Sequence, residues 1–580
     1  MSLDIDVSKD GYKILRVKIE DKKVYLGSKY NQRREIHKFL SSLDEPTEKD
    51  NYIIFGLSFG EHIEELLKAT YESSNILIIE FNEELKEYCK RDLKIKKIFE
   101  NSRVKLFDKV DDIKEFFGLY INEANVDQLQ TLTYANYFKL NKMNFMDTYS
   151  IIREELMSVI LMRNTGIISG ELSFNNFMSN LKYIGKATTV NKLRGKCKNK
   201  PAIIVSAGPS LSKNIDNLKG VKNALILSGG RTLRPLMDKK IMPSCVGIVD
   251  PGEVSYKVVE EYIDKIKCPL VFNDQVHPKI IERHNENNFI TRINAFLDDI
   301  WEEPPYILSG GGSIAHSLTA LALYMGCNPI VFIGQDLAYT GDRGHDVSAG
   351  NKWSELTFDE YKRSDDIYIE DIEGKPVRTS LLLNDYKKSM EEIISKWPEV
   401  EFINATEGGA NIKGTKIEKL SEVLKGFPKE EITSLNEYLD DEDKTEVLIK
   451  KLEMSLKNFE KYIKLCEKAE KLSKDYKQSY YLKNNKKLNE IEKVINKVDN
   501  EIRENLSELY ILNFALSKVI FEIERNEEFI VKKNDSEAVM FKKSTSRAEA
   551  IYSGIKNVVK ESCTKVKELT DELKEDLGGK

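Results

Sequence analysis

The chain has 580 residues, which is too long for one hydrophobic core, and we expect about three or four domains. Its 41% hydrophobic and 32% charged residues are typical of globular domains and exclude wholesale disorder or a collagen-like chain. The formal net charge of -6 lacks the basic excess of a general phosphate-backbone binder, so we expect no nucleic-acid partner.

The N-terminal region contains a predicted βαβ unit. An apolar run from Tyr52 leads through a turn with Gly56 and Gly60 into a helical stretch and a second apolar run that includes Glu80. An acidic residue in this place often binds a ribose, so a methyltransferase-like cofactor site and a turn that only packs helix on strand are both open. We assign residues 1–185 to an N-terminal α/β accessory domain.

From Lys200 onwards, short apolar runs alternate with helical segments, which predicts a mainly parallel sheet covered on both faces. Ligands of such sheets bind at the carboxyl ends of the strands, so the loops after these runs are the candidate site. We assign residues 186–425 to this central domain. The apolar runs cover residues 202–206, 224–227, 245–249, 270–273 and 330–333.

The last part of the sequence is predicted to be all-helical. No proline follows Pro428, and apolar residues recur at helical spacing, for example from Leu448 to Cys466. Such stripes pack on a helical core, while the charged faces could dock a protein partner. We assign residues 426–580 to a C-terminal helical domain.

The cysteines and apolar segments indicate the compartment. The seven cysteines are scattered and none forms a CxxC pair, which disfavours zinc and dithiol redox motifs. No continuous apolar stretch reaches the length of a signal peptide or a membrane span. We therefore expect a cytoplasmic protein with reduced thiols and no membrane insertion.

The first candidate loop is the small-residue turn after the strand at residues 202–206. Ala207 and Gly208 would let a ligand approach the backbone, Pro209 fixes the turn, and Ser210 can cap a following helix. The N-terminus of that helix would face a phosphate. The alternative is a tight turn with a helix cap, and the spacing matches neither a Walker loop nor a dinucleotide fingerprint.

Further strand ends carry small or acidic residues. Gly229 and Gly230 end the next strand, and Asp250 and Glu253 follow another. A glycine run before an Ala/Leu-rich helix offers a second backbone nest for an anion, and two nests suit a nucleotide. The run contributes Ser309, Gly310, Gly311 and Ser313.

The loop after the strand at residues 330–333 has the densest group of functional side chains. It contains Asp336, Tyr339, Arg343 and His345. The ordinary pKa of an imidazole is close to neutral, so His345 suits proton acceptance, the alternative being a solvated loop histidine. His316, in a predicted helix, is expected to be a packing histidine instead.

These loops resemble the Maf (motility-associated factor) flagellin glycosyltransferases, whose central domain is similar to bacterial sialyltransferases. The resemblance covers residues 200 to about 424 and rests on SAGPSL from Ser206, LSGGRTLRPL from Leu227, SGGGS from Ser309 and GQDLAYTG from Gly334. It implies a central Rossmann-like, sialyltransferase-like parallel-sheet domain flanked by the N-terminal α/β and C-terminal helical domains.

The resemblance also implies a function. Maf proteins are bacterial cytoplasmic enzymes that transfer nonulosonic acids from a CMP donor to Ser or Thr of flagellin, which supports flagellum assembly and motility. By this likeness CMP would contact two groups of residues, one in each nest. These are Gly208, Pro209 and Ser210, and Ser309, Gly310 and Gly311.

The chemistry of a CMP-linked keto-sugar agrees with these loops. CMP leaves as a phosphate monoester from an oxocarbenium-like transition state, so the site needs phosphate donors and one base but no obligatory divalent metal. We predict that Tyr339 or Arg343 stabilises the departing phosphate, and that His345 or else Asp336 takes the acceptor proton. Asp250 and Glu253 would orient the sugar or the acceptor.

Two rival hypotheses stay open at this point. The central segment also resembles archaeal hydroxymethylpterin diphosphokinases, which would make the nests an ATP site with bound magnesium. A non-enzymatic flagellin-binding scaffold with vestigial nucleotide loops is the other. For a transferase, the choice among sialic, pseudaminic and legionaminic acids depends on pocket shape.

Overall fold

The computed structural model describes residues 4–19, 22–139, 142–308, 311–349 and 366–578. The chain divides into two units, each built from separate stretches of sequence. One comprises Met1–Ile167, Lys464–Glu501 and Leu516–Asn557, and the other comprises Ile168–Ile463, Ile502–Ala515 and Val558–Lys580. The domain boundaries at residues 185 and 425 stay predictions.

The first unit contains an antiparallel meander, β1-β2-β3, and a parallel sheet in the order β6-β5-β4-β7. The strands are β1 Asp4–Val7, β2 Lys13–Ile19, β3 Lys22–Leu26, β4 Asn51–Phe55, β5 Ile76–Ile79, β6 Val104–Leu106 and β7 Leu129–Thr133. The helices are α1 Gln32–Leu40, α2 Glu61–Ala69, α3 Glu83–Arg91, α4 Leu93–Phe99 and α5 Val110–Tyr120.

The predicted βαβ unit is confirmed as β4-α2-β5, and protein side chains fill its turn. The Ser58 N–H donates to the Tyr137 hydroxyl at 2.8 Å, and the Leu57 N–H donates to the buried Glu80 carboxylate at 3.1 Å. A Cβ at Gly56 would lie 2.5 Å from the Tyr137 ring. Because the donors and the space are already used, the structure favours the packing turn over a methyltransferase-like cofactor site.

Helix α6, Lys142–Ile184, precedes the strands of the second unit. These strands form a parallel sheet in the order β18-β17-β14-β9-β10-β11-β12-β13-β8, beside an antiparallel hairpin, β15-β16. The strands are β8 Thr188–Thr189, β9 Ala202–Val205, β10 Leu225–Gly229, β11 Cys245–Ile248, β12 Leu270–Asn273, β13 Phe289–Thr291, β14 Ile330–Ile333, β15 Ile367–Glu370, β16 Pro376–Thr379, β17 Phe402–Asn404 and β18 Lys416–Ile417. The helices are α7 Gly230–Asp238, α8 Glu253–Val259, α9 Pro278–His284, α10 Ile314–Tyr324, α11 Leu381–Ser395 and α12 Leu420–Val423.

Both faces of this sheet are buried, which explains the continuous apolar runs of the sequence. In β9, Ile204 belongs to the hydrophobic cluster that includes α10, while its neighbour Ile203 belongs to a cluster on the other face. The strand order reverses beside β9, because the chain runs from β9 to β10 on one side and later returns to β14 on the other. Ligands of open parallel sheets bind at such a switch point.

Long helices follow, as predicted. They are α13 Thr445–Tyr481, α14 Asn485–Glu504, α15 Asn513–Arg525 and α16 Glu537–Gly578. The predicted apolar stripe of α13 is buried at Leu448, Leu452, Phe459 and Cys466. No helix within the described ranges is both long enough and apolar enough to cross a membrane.

Asp274, directly after β12, is a fully buried carboxylate with incomplete hydrogen bonding. Its Oδ2 accepts the N–H groups of Ile293 at 2.9 Å and Asn294 at 2.6 Å, whereas Oδ1 has no hydrogen-bond partner among the described residues. Burial raises the pKa of Asp274 from 3.8 to about 6, and the two N–H donors oppose this rise. The folded state therefore holds a proton that the unfolded state releases between these two values.

Replacing Asp274 by Asn is expected to stabilise the protein at about pH 7.5 by roughly 1–3 kcal/mol, since it removes the cost of ionising a buried carboxylate. Wild-type stability falls as the pH rises through the interval from 3.8 to about 6, so the advantage of the variant should shrink on acidification to pH 3.8. Thermal unfolding across this range measures it, with the exposed Asp216→Asn as the control. A stability gain that does not change with pH would contradict the assignment.

Candidate functional site

A cavity of about 400 Å³ lies at the carboxyl ends of β9, β10, β11 and β14, at the switch point of the sheet. The predicted loops converge there, because parallel strands end at the same edge. It is lined by residues 205–208, 229–232, 247–250, 252, 254, 255, 258, 312–315, 334–337, 344, 345, 383 and 386.

The N-termini of two helices meet this cavity. Gly229 is the N-cap of α7 and Ser313 is the N-cap of α10, and both line the cavity. First-turn N–H groups have no partner within their helix and carry partial positive charge, so they favour an anion. A Cβ at Gly229 would lie 2.8 Å from Ile314, and therefore only glycine lets α10 approach β10 this closely.

The turn at Gly208–Ser210 corrects the prediction of a phosphate cradle. The Gly208 N–H donates to the Gly334 carbonyl at 2.7 Å, Pro209 has no N–H, and both the N–H and the hydroxyl of Ser210 donate to Asp336. Ser210 precedes a 3-10 turn and caps no α-helix. These donors are already used, so the turn contributes a wall, with Ala207 and Gly208 lining the cavity.

The surroundings of Asp336 favour a structural part over its predicted role as alternative base, which stays a prediction. The Asp336 carboxylate is 1% exposed and accepts the hydroxyl groups of Ser210 and Thr340, each at 2.7 Å. Burial raises its pKa, while the hydrogen bonds from Ser210 and Thr340 oppose the rise. Both of its oxygens are occupied within the protein, which assigns the carboxylate a structural part in the site.

The second predicted nest is only partly within the described part of the chain. Ser309 and Gly310 lie outside the described residues. A Cβ at Gly311 would lie 2.1 Å from Ser389 on α11, so this glycine permits close packing and does not line the cavity. Ser313 lines the cavity, and its neighbour Gly312, with φ at +81°, lies against Tyr386.

The prediction of a packing histidine at His316 is confirmed. The Ser313 N–H donates to Nδ1 of His316 at 3.2 Å, so Nε2 carries the proton and donates to the Tyr386 carbonyl at 2.8 Å. Burial lowers the pKa of this imidazole. His316 thus links α10 to α11 and has no free nitrogen for catalysis.

His345 lies in the cavity wall, where part of its side chain is exposed to solvent. The surrounding protein atoms and then the positive charge of Arg231 lower the pKa of His345 below 6.5, and a hydrogen bond with the backbone of Ala207 opposes this. The imidazole is therefore neutral at neutral pH, in the form that accepts a proton.

Tyr339 and Arg343 do not line the cavity, so the geometry gives no support to their predicted contact with the phosphate, which stays a prediction. The Arg378 guanidinium lies 4.4 Å from the centre of the Tyr339 ring, and the Tyr339 N–H donates to the Arg378 carbonyl at 2.8 Å. Tyr339 thus packs against β16. Arg343 is exposed to solvent.

Only one of the two carboxylates predicted after β11 lies in the cavity. Asp250 lines the cavity, where the surrounding protein raises its pKa and the charge of Arg231 opposes the rise. Glu253 does not line it, and its Oε2 lies 2.8 Å from Nε2 of His277. The geometry therefore gives no support to the orienting role at Glu253, where it stays a prediction, while Asp250 lines the cavity as that role requires.

Arg231 and Tyr386 line the cavity but were not among the predicted site residues. Arg231, in the first turn of α7, is half-buried and forms no ion pair with any residue that the structure describes. Its place directly after Gly229 and Gly230 was the signal that could have identified it. Burial raises the pKa of Tyr386 on α11, and the negative charge of Asp250 raises it further.

Fold and site together define a Rossmann-like α/β protein with an anion-favouring cavity at its switch point. Four chains of solved structures match it, including a Maf glycosyltransferase from Magnetospirillum magneticum AMB-1. The identity is 13% and the TM-score 0.53, over 100% of this chain and 95% of that chain. The predicted fold is therefore confirmed as Maf-like, with its large parallel sheet and helical C-terminal region.

The sequence comparisons are narrower. The model of a family described as 6-hydroxymethylpterin diphosphokinase MptE-like matches residues 175–342, which include β8 to β14. No curated protein matches the chain.

Proposed function

We propose that this protein is a glycosyltransferase that moves a nonulosonic acid from a CMP donor to Ser or Thr of flagellin, and thereby supports flagellum assembly and motility. One observation carries the proposal: one cavity is lined by the N-termini of α7 and α10, by the neutral His345 and by Arg231, which forms no ion pair with a described residue. The Maf-like fold supports it.

In this proposal the α7 and α10 N-termini and Arg231 bind the phosphate of CMP. Negative charge develops on this phosphate as the sugar departs, so donors fixed in place before the reaction stabilise the transition state more than the ground state. Tyr386 lines the same cavity, and in this proposal its hydroxyl donates to the same phosphate. In this proposal these residues stabilise the departing phosphate, the role that the sequence analysis gave to Tyr339 or Arg343.

His345 is the proposed general base. The acceptor hydroxyl oxygen forms the bond to the anomeric carbon, its proton passes to the neutral imidazole, and the bond between the anomeric carbon and the phosphate oxygen breaks. The bonding electrons leave with CMP. Asp250, which lines the same cavity, orients the sugar or the acceptor.

The remaining assignments belong to the same proposal. The partners are flagellin and the CMP-activated donor, without nucleic acid or membrane insertion, and the reaction takes place in the cytoplasm. The departing phosphate is stabilised by protein donors, so no divalent metal is obligatory. The charged faces of the C-terminal helices would dock flagellin.

Mass spectrometry of flagellin co-expressed with this protein and a pathway for a CMP-nonulosonate tests the proposal. We expect flagellin to gain the mass of nonulosonic acid on Ser or Thr, and to lose this mass when the transferase is omitted. Pathways for sialic, pseudaminic and legionaminic acids, tried separately, identify the donor. Unmodified flagellin with every donor would contradict the proposal.

A pterin diphosphokinase is the second candidate, and the family match to residues 175–342 favours it. Such an enzyme would bind ATP with magnesium in the same cavity and consume ATP in the presence of 6-hydroxymethylpterin. Glycosyl transfer that persists in EDTA, without ATP consumption on adding the pterin, would exclude it. Magnesium-dependent AMP release would instead establish it.

A further inference from the structure

Two carboxylates hold the turn that forms one wall of the cavity. On one side, Asp336 accepts the N–H of Ser210 at 3.2 Å, the hydroxyl of Ser210 at 2.7 Å and the hydroxyl of Thr340 at 2.7 Å. Asp336 itself is 1% exposed. The carboxylate therefore ties the turn after β9 to the loop after β14.

On the other side, Asp346 fastens the same turn to the segment that carries His345. Its Oδ2 accepts the Ser212 N–H at 2.9 Å, and its own N–H donates to the Ala207 carbonyl at 2.9 Å. Asp346 is 2% exposed. The residue before it, His345, is thereby held against Ala207.

The backbone around Asp336 is also closely packed. A Cβ at Gly208 would lie 2.1 Å from Asp336 Oδ2, and a Cβ at Gly409 would lie 2.3 Å from the Asp336 carbonyl oxygen. That carbonyl accepts the Ala410 N–H at 2.7 Å. The main chain and the side chain of Asp336 are therefore both fixed, as a positioning residue requires.

We propose that Asp336 is a positioning residue that holds the turn Ala207–Ser212 and, through Asp346, sets the place of His345 in the cavity. Its relevance to catalysis rests on the proposed function. In the proposed function the phosphate is bound by α7, α10, Arg231 and Tyr386, none of which belongs to the turn, so loosening the turn should impair the base more than donor binding.

Replacing Asp336 by Asn keeps its size but leaves one oxygen to accept the hydroxyl groups of Ser210 and Thr340. We expect kcat for transfer to fall about 10- to 100-fold, since a displacement of the base by ~1 Å has an effect of this order. The KM for the CMP donor should change less than about threefold. Thr340→Val, which removes one donor, is a milder second variant, and Asp216→Asn on the surface is the control.

Histidine NMR tests the position of His345 independently of turnover. The chain has six histidines, and the signal of His345 is identified by its loss in His345→Gln. The ionisable groups that line the cavity with it are Arg231, Asp250, Asp336 and Tyr386. If Asp336→Asn lets the imidazole move away from the wall and from Arg231, the pKa of His345 rises toward 6.5.

The outcomes separate the two proposals. A raised pKa of His345 with lowered kcat and unchanged donor KM supports both. A raised pKa of His345 in Asp336→Asn, with no transfer by the wild type, would support the positioning role and contradict the proposed function. An unchanged titration of His345, with kcat lowered only in proportion to the unfolded fraction, overturns the positioning role. If Asp336→Asn does not fold, Thr340→Val is judged by the same measurements.

Discussion

Arg231→Gln is expected to lower kcat/KM for glycosyl transfer by about 100- to 1000-fold, which is the usual effect of removing one preorganised donor to a developing anion. Arg231 lines the cavity at the start of α7, whose N–H groups favour an anion, and its positive charge lowers the pKa of His345 and opposes the rise at Asp250, both of which line the same cavity. No described carboxylate forms an ion pair with it, so its charge is available to a ligand. The kcat/KM of wild type and variant at saturating acceptor measures the effect.

The same helix provides a matched control for this variant. Arg234 lies one turn further along α7, outside the cavity, with its guanidinium 2.6 Å from Glu261. Arg234→Gln removes the same charge from the same helix and should retain transfer within about threefold, because exposed ion pairs contribute little. Equal losses in the two variants would mean that helix stability, not the cavity charge, governs activity.

His345→Gln is expected to lower kcat by about 100- to 10,000-fold, the usual range for loss of a general base. Glutamine retains a similar size and polarity but cannot accept the acceptor proton. His37→Gln, at an exposed position of α1 in the other unit, is the control that should leave kcat unchanged. Retained turnover in His345→Gln would remove the base assignment.

The pH dependence of activity also tests the assignment of His345 as the base. The pKa of His345 in the free protein is lowered below 6.5, so the base form persists on mild acidification and the acid limb of kcat/KM should lie below pH 6.5. The charge of Arg231 contributes to this lowering of the pKa. The residual activity of Arg231→Gln should therefore show its acid limb at a higher pH than the wild type. An acid limb that does not move between wild type and Arg231→Gln would show that another group titrates.

The sequence was sufficient to predict the edge of the sheet at which the cavity lies. Parallel strands end at one edge, and small or acidic residues follow several of them, so the sequence alone predicts that Ala207, Gly229, Asp250 and His345 lie close together. The buried strands and the C-terminal helices were predictable for a similar reason, since each depends on a local pattern of apolar residues.

The use of each donor could not be predicted, because it depends on contacts between distant parts of the chain. Ser210 and Asp336 are 126 residues apart in the sequence. Their hydrogen bonds use the Ser210 donors that were predicted to bind a phosphate, so this turn forms only part of the cavity wall. Glycine at position 229 is required by Ile314, which the local sequence does not reveal. Tyr386 lies on α11 and lines the cavity. A search limited to the loops that follow strands does not find a residue inside a helix.

Calorimetric titration with CMP tests the central claim most directly, because it measures the cavity's ligand without an acceptor or a sugar. We expect CMP to bind the wild type and Arg234→Gln with equal affinity and Arg231→Gln at least about tenfold more weakly, a difference of ~1.4 kcal/mol. ATP with magnesium and 6-hydroxymethylpterin should not compete. Absence of CMP binding, or binding that Arg231→Gln leaves intact, would contradict the account.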